Sequence, residues 1–496
     1  MSDTDSQPPA YFVGALLRAL PEALLAMAAA LLSLACAQAI APGPASAVLA
    51  VVLCLSLARS RMDRDARGRL HAAFELPLVA MAALGVGWLL LHLPWLGASA
   101  FTGCIALSIW LRQFGETARR AGRLIALPFV VVLTVPHLRE NAHGLLPAPL
   151  MPVTVAWLAL FWVSMLDLLG RRLGWLAQAH VSTPSVPMPI AAPTRAPRTL
   201  PASTRMAVQM AVALAAAFAL GHALFDQHWA WVVLTAFIVN SGNRGRLDVA
   251  HKSVRRLLGA AAGTALASLL DLHLGSGPAV ATLVLAAVFV GTWLRPLNYA
   301  WWALCVTLAL ALLQGYLGQP VNGVLWLRLQ AILAGAALGA AAAWWVLPVR
   351  STDVLRRRLA DALAALAEAF DPATAERTAT PFLVALDAVA PLAPAFHALR
   401  RLTGKRVAMQ PANWIDTLRA CRAPALALIT AGATSGQVRR AIGTARKALR
   451  EPAGLGTALE DLRHELLAAM PASPEPSGSA GSTLTDQRIA AAHPAH

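Results

Sequence analysis

Val51-Val52-Leu53 recurs as Val232-Val233-Leu234, and at the same offset Leu91-His92-Leu93 recurs as Leu272-His273-Leu274. Between these anchors each copy runs the same course: an apolar segment, an arginine-rich loop (Arg59 to Arg69; Arg244 to Arg256), then another apolar segment. The shared spacing marks an internal repeat. A duplicated hydrophobic unit in a long apolar chain is the build of many membrane transporters, whose substrate path lies between the two halves.

Outward from the repeat, the whole chain has the same character. Its 496 residues are 57% hydrophobic and only 13% charged, with mean hydropathy +0.59, whereas soluble proteins carry about 25% charged residues. This composition is that of a polytopic membrane protein. A helix needs roughly 20 apolar residues to cross the hydrocarbon. Such segments fall at about 18–40, 45–58, 70–93, 95–111, 124–138 and 148–169, then at about 205–224, 227–241, 257–275, 278–294, 299–317 and 328–348. The expected fold is all-α, with about twelve transmembrane helices as two repeats of six and a C-terminal helical domain. The short segments 45–58 and 124–138 imply either misplaced boundaries or helices broken near the midplane.

The expected domains are a first transmembrane half (1–175), a proline-rich linker (176–204), a second transmembrane half (205–349), a cytoplasmic helical domain (350–470) and a disordered tail (471–496). From Arg350 onward Leu355, Leu359, Leu363, Leu366 and Phe370 recur at helical spacing between charged residues, which is an amphipathic helix with one buried face. Breaks are expected at Asp371-Pro372, Thr403-Gly404 and Pro452-Ala453-Gly454. The tail is rich in Ser, Pro, Gly and Ala.

The net charge of +16 raises the question of nucleic acid. The arginines instead alternate by loop. They follow the second segment (Arg59, Arg61, Arg64, Arg67, Arg69), the fourth (Arg112, Arg119, Arg120, Arg123), the sixth (Arg171, Arg172), the eighth (Arg244, Arg246, Lys252, Arg255, Arg256), the tenth (Arg295) and the twelfth (Arg350, Arg356, Arg357, Arg358), with Arg139 the main exception. The positive-inside rule then puts both termini and the linker in the cytoplasm, and no nucleic-acid partner is needed to explain the charge. The polar Met1 to Ala10 lacks the basic region of a cleavable signal, so the first helix is expected to stay. The five cysteines are scattered and show no CxxC spacing, and no GxxxxGK[ST] loop occurs. No metal, cofactor or enzymatic activity is expected, since neither paired catalytic carboxylates nor a nucleophile with a base are found. His71 and Glu75 have a metal-ligand spacing but no third ligand nearby.

The densest constellation is Trp229-Ala-Trp231-Val-Val-Leu-Thr235-Ala-Phe-Ile-Val-Asn240-Ser-Gly-Asn243-Arg244, followed by Arg255-Arg256-Leu-Leu-Gly259-Ala-Ala-Ala-Gly263-Thr264. An aromatic-led helix ending in a polar turn, then arginine, then a glycine-paired helix, resembles the fusaric acid resistance family of inner-membrane proteins, which includes aromatic acid exporters. The resemblance covers the second half well and the first weakly. Some members also carry a soluble domain between the halves, where this chain has only the linker. The resemblance implies a multi-pass protein of the bacterial inner membrane that exports small organic anions, aromatic carboxylates in particular, with a periplasmic adaptor as a conceivable partner. An anion channel, as in the similar plant malate channels, and a membrane scaffold acting through its C-terminal domain are the alternatives.

The residues themselves suggest sites. Arg255, Arg256 and Arg244, with Asn240, Asn243, Trp229 and Trp231, are candidates for a substrate pathway at the cytoplasmic end, because arginine forks suit carboxylates. For the tryptophans, interfacial anchoring competes with stacking on an aromatic substrate. The repeat offset maps Glu75 onto Arg256, so the two are expected to face each other as an ion pair if the halves pack about a pseudo-two-fold axis; the alternative is that each is solvated at the headgroup level. Asp271 and His273 could relay protons, or be ordinary outer-loop polar groups like Asp226 and His228. Gly259 with Gly263, and Gly335 with Gly339, form GxxxG spacings that suit helix packing within the chain or a homo-oligomer interface.

Overall fold

The computed structural model describes residues 9–40, 42–60, 66–134, 150–176, 200–271, 278–316, 321–374, 377–404, 410–433 and 435–470. These residues are helical, with no strand among them, and fall into two compact units, Met1–Val354 and Leu355–His496. Most of the expected linker and all of the expected tail lie outside the described residues.

The first unit contains α1 (Pro9–Ile40), α2 (Pro44–Ser60), α3 (Ala66–His92), α4 (Pro94–Trp110), α5 (Glu116–Thr134), α6 (Met151–Arg172), α7 (Ala202–Leu224), α8 (Trp229–Asn240), α9 (Arg246–Asp271), α10 (Pro278–Leu294), α11 (Tyr299–Tyr316) and α12 (Val321–Trp345). Among the described residues of this unit, six stretches are long and apolar enough to cross a membrane: Leu16–Ile40, Arg69–His92, Pro94–Gln113, Met151–Arg172, Ala202–Leu224 and Trp326–Trp345. Ser46–Ala58, Trp229–Asn240, Ala279–Leu294 and Tyr299–Gln314 are apolar but shorter. The chain is a membrane protein. A segment expected at 124–138 is instead a helix that begins at Glu116, its charged turns with Arg119, Arg120 and Arg123 being helical rather than loop. Segment 45–58 extends to Pro44–Ser60.

Packing follows a paired plan. In the first half α1 packs on α2 and α6, α2 and α3 pack on α6, and α5 packs on α3 and α4. Each of these contacts has a counterpart six helices on, with α7 on α8 and α12, α8 and α9 on α12, and α11 on α9 and α10, whereas α3 on α4 and α2 on α5 are not matched in this way. Between the halves α4 meets α7 and α1 meets α10. A core cluster built on Phe101, Phe129, Leu214, Phe218, Val232 and Ala331 draws on both halves. The rings of Phe101 and Phe218 meet edge-on at 5.7 Å, a favourable aromatic geometry.

The second unit comprises α13 (Ser351–Ala369, from its second turn), α14 (Thr380–Val389), α15 (Ala393–Thr403), α16 (Pro411–Ala420), α17 (Arg422–Thr430), α18 (Gly436–Ala448) and α19 (Leu455–Ala468). Leu355, Leu359, Leu363, Leu366 and Phe370 are all buried, as the spacing predicts. The chain breaks after Ala369, at Gly404 with φ +58° and at the 3-10 turn Pro452–Gly454. Thr380–Thr403 also has the length and apolarity of a membrane span. It is two helices joined by a 3-10 turn, and its Phe382, Leu386, Val389 and Phe396 are buried within the unit.

Candidate functional site

Helices α8, α9 and α12 pack against one another, and small residues let them do so. A Cβ at Gly335 would collide with the backbone carbonyl of Val232, and one at Gly339 would come within 2.6 Å of the Asn240 amide nitrogen. Gly259 and Gly263 face α11 in the same way, each with a carbonyl oxygen 2.5 Å from the position of an added Cβ, Ala300 and Leu304 respectively. All four expected glycines are contact points between helices of this chain. In lipid such close approach is gained through dispersion rather than hydrophobic burial.

The turn from α8 to α9 is a joint. Gly245 takes φ +116°, open to glycine at little cost, and an added Cβ would meet Ser351 Oγ at 2.6 Å. Leu247 N donates to Ser351 Oγ at 3.0 Å, and Arg246 N donates to the Val349 carbonyl at 3.1 Å. Asp248 Oδ2 accepts from the Arg244 backbone N–H and from Lys252 Nζ, both at 3.0 Å, placing a carboxylate at the positive end of the helix. The Arg244 side chain is exposed. Asn240 is 4% exposed; its Nδ2 donates to the Ala236 carbonyl at 3.1 Å while its Oδ1 is buried without a partner, as is Asn243 Oδ1.

Arg255 and Arg256 were expected to act together, but successive residues on an α-helix diverge by about 100°. Arg255 Nη1 donates to Asn298 Oδ1 at 2.5 Å, and the same oxygen accepts from Ala300 N at 2.9 Å, so Arg255 grips the group that caps α11. Arg256 turns inward instead. It is 2% exposed, and its Nε is buried without a hydrogen-bond partner. The structure adds a residue that the sequence reading passed over, Arg328 of α12, which is 3% exposed with a buried Nη1 that also lacks a partner. Its guanidinium lies over the Trp231 ring, 5.4 Å from the centroid, and Trp231 lies 4.4 Å from His228. Arg256 and Arg328 stand on helices α9 and α12, which pack against each other, and the Arg256 charge bears on the buried Arg328. Arg328 is the one ionisable residue of the α12 sequence, flanked by Leu327 and Leu329, and that isolation was the signal that could have found it.

Magnitudes show what this arrangement demands. An arginine near the bilayer centre costs about 2.5–3.5 kcal/mol on insertion scales, and a cation–π contact returns roughly 0.5–2 kcal/mol. Two like charges within reach of each other enlarge the deficit. Among the described residues no carboxylate forms an ion pair with either arginine. The cluster is suited to an anion.

Other expectations change. Among the described residues no ion pair joins Glu75 to Arg256: α3 packs on α4, α5 and α6, whereas α9 packs on α8, α11 and α12. A pseudo-two-fold axis brings equivalent residues face to face only beside the axis, and the helices that meet between the halves are chiefly α4 with α7, α1 with α10 and α5 with α8. Trp229 is buried within the protein, 5.5 Å from Phe218 and 5.0 Å from His222 between ring centroids. Trp301 and Trp345 are exposed, as anchors would be. The Asp271 side chain and His273 lie outside the described residues.

The first half holds a cavity of about 100 Å³ whose charged lining is Glu22, Arg69, Asp167 and Arg171. Asp167 and Arg171, one turn apart, pair at 2.5 Å. In the sequence Arg171 stands out only as a topology signal.

Residues 211–342, running from within α7 to within α12, match a family model described as fusaric acid resistance protein-like. The matched stretch therefore contains Trp231, Arg256 and Arg328, and the resemblance seen in the motif at 229–264 is to this family. No curated protein and no solved structure matches the chain.

Proposed function

We propose that this membrane protein is a secondary transporter that exports small organic anions, with aromatic carboxylic acids as the substrate class, across a bacterial inner membrane. One observation carries the reading: the stretch that matches the fusaric acid resistance protein-like family closes around Arg256, a buried cation with no carboxylate partner among the described residues. The paired helix contacts of the two halves support a layout of two six-helix repeats, in which transport proceeds by rocking of one half on the other. The alternation of arginines by loop supports cytoplasmic termini. A periplasmic adaptor and a homo-oligomer are compatible partners of such an exporter; neither nucleic acid nor a cofactor enters the reading.

The test is growth of cells with and without the protein across a panel of aromatic acids at low external pH, where the neutral acid diffuses in and dissociates inside. Protection against at least one acid, with efflux that follows the proton gradient, supports the exporter. Equal growth across the panel overturns it, and efflux that follows only the anion's own electrochemical gradient assigns a channel. A reporter active only in the cytoplasm is expected to be active when fused after Gly481 and silent when inserted near Asn322.

A further inference from the structure

We infer that Arg256 and Arg328 form a two-arginine clamp for the carboxylate of a small organic anion, set between α8, α9 and α12 and walled on one side by Trp231. The inference rests on the transport reading and names the site at which the anion is held. The two guanidiniums come from helices far apart in sequence, both are more than nine-tenths buried, and each retains a buried N–H without a partner. No carboxylate of the described chain pairs with them. Their mutual repulsion is relieved by one shared anion, and a carboxylate has the lone pairs to accept from both at once. Trp231 holds the Arg328 guanidinium by its face, which orients the fork without neutralising it. Val232, next to Trp231, and Ala331 and Ile332, one turn beyond Arg328 on α12, are buried and apolar, which suits an anion with an apolar body. Thr235 of α8 adds a buried hydroxyl without a hydrogen-bond partner on the helix that carries Trp231. Arg255 and Lys252, on the same stretch of α9, are engaged by Asn298 and Asp248 and lie outside the clamp.

The experiment titrates the full-length protein, purified in detergent and in nanodiscs of zwitterionic lipid, with benzoate, with its neutral isostere benzamide and with chloride, reading thermal stability and tryptophan fluorescence. Benzoate is expected to raise the melting temperature and perturb the fluorescence, with benzamide and chloride much weaker. Arg256→Gln and Arg328→Gln are each expected to weaken benzoate binding by about tenfold or more, equivalent to about 1.4 kcal/mol, and Arg328→Lys, which keeps the charge, to weaken it less. Benzoate responses equal to wild type in both Gln variants overturn the clamp, as do an equal response to chloride and a benzoate response that appears only when anionic lipid is added. Export of aromatic acids by cells with an unchanged KM in both Gln variants removes the clamp and leaves the transport reading standing. Arginine-dependent benzoate binding without any export keeps the clamp and removes the transport reading.

Discussion

Arg255 of α9 and Asn298, at the turn between α10 and α11, are joined by a 2.5 Å hydrogen bond, and the same Asn298 oxygen caps α11 through Ala300 N. An arginine expected to attract substrate is thereby a structural tie between helices. Arg255→Gln and Asn298→Ala should each lower membrane abundance or thermal stability. A hydrogen bond to a charged group is worth roughly 1.5–3 kcal/mol when buried, less here because the group is part-buried. The double variant should lose less than the sum of the two, since both remove one contact. Strict additivity would show that the tie carries no energy.

The helix-packing glycines should be sensitive to a single methyl group. Gly259→Ala and Gly335→Ala bring a Cβ against backbone of α11 and α8 respectively, and overpacking of this kind costs about 1–3 kcal/mol. Gly103→Ala, where nothing lies within 4 Å of the added Cβ, serves as control and should keep wild-type abundance. Equal stability of all three variants in a detergent melting assay would contradict the close approach.

The charge exchange at Glu75 and Arg256 should not rescue. Glu75→Arg and Arg256→Glu each alter a different helix group, so their losses should add within about 0.5 kcal/mol. Recovery of abundance in the double variant would establish a contact that the structure does not contain.

In the second unit Asp416 predicts a pH dependence. Burial pushes its carboxyl up, but His397 Nε2 at 2.9 Å and Arg400 Nη1 at 2.8 Å hydrogen-bond it, and with their charges hold it below the usual carboxylate value. A depressed folded-state pKa contributes stability that is present above the unfolded value, about 3.9, and is lost as pH falls through the folded value. Asp416→Asn in the full chain should therefore lower the melting temperature of this unit at pH 7, with the gap to wild type closing below about pH 4. A gap that is constant from pH 7 to pH 3 would mean the carboxylate's charge contributes nothing. Nearby Cys421, whose thiol burial pushes up to about 12, should resist maleimide at neutral pH in the folded protein.

Much of the fold was legible because its signal is local. A run of about 20 apolar residues reads as a helix wherever it lies, and 70–93, 95–111 and 148–169 fall close to Ala66–His92, Pro94–Trp110 and Met151–Arg172. The paired arginine loops pointed to α9, and the GxxxG spacings to its close neighbours. Failures came where charge and helix coincide: at α5 the charged first turns read as loop, although an arginine costs a helix little in propensity.

From the sequence alone the chain reads as a bundle of apolar helices followed by an amphipathic helical unit, and its second half resembles the fusaric acid resistance family. Tertiary packing ties Arg255 to Asn298, turns Arg256 inward, sets the Arg328 guanidinium over Trp231 and keeps Glu75 in another helix group. The reason is physical. A helix that is apolar all round has no polar face to show which side meets its neighbour, so the facing residues are set by where small residues allow backbones to touch, and those contacts come from helices distant in the chain.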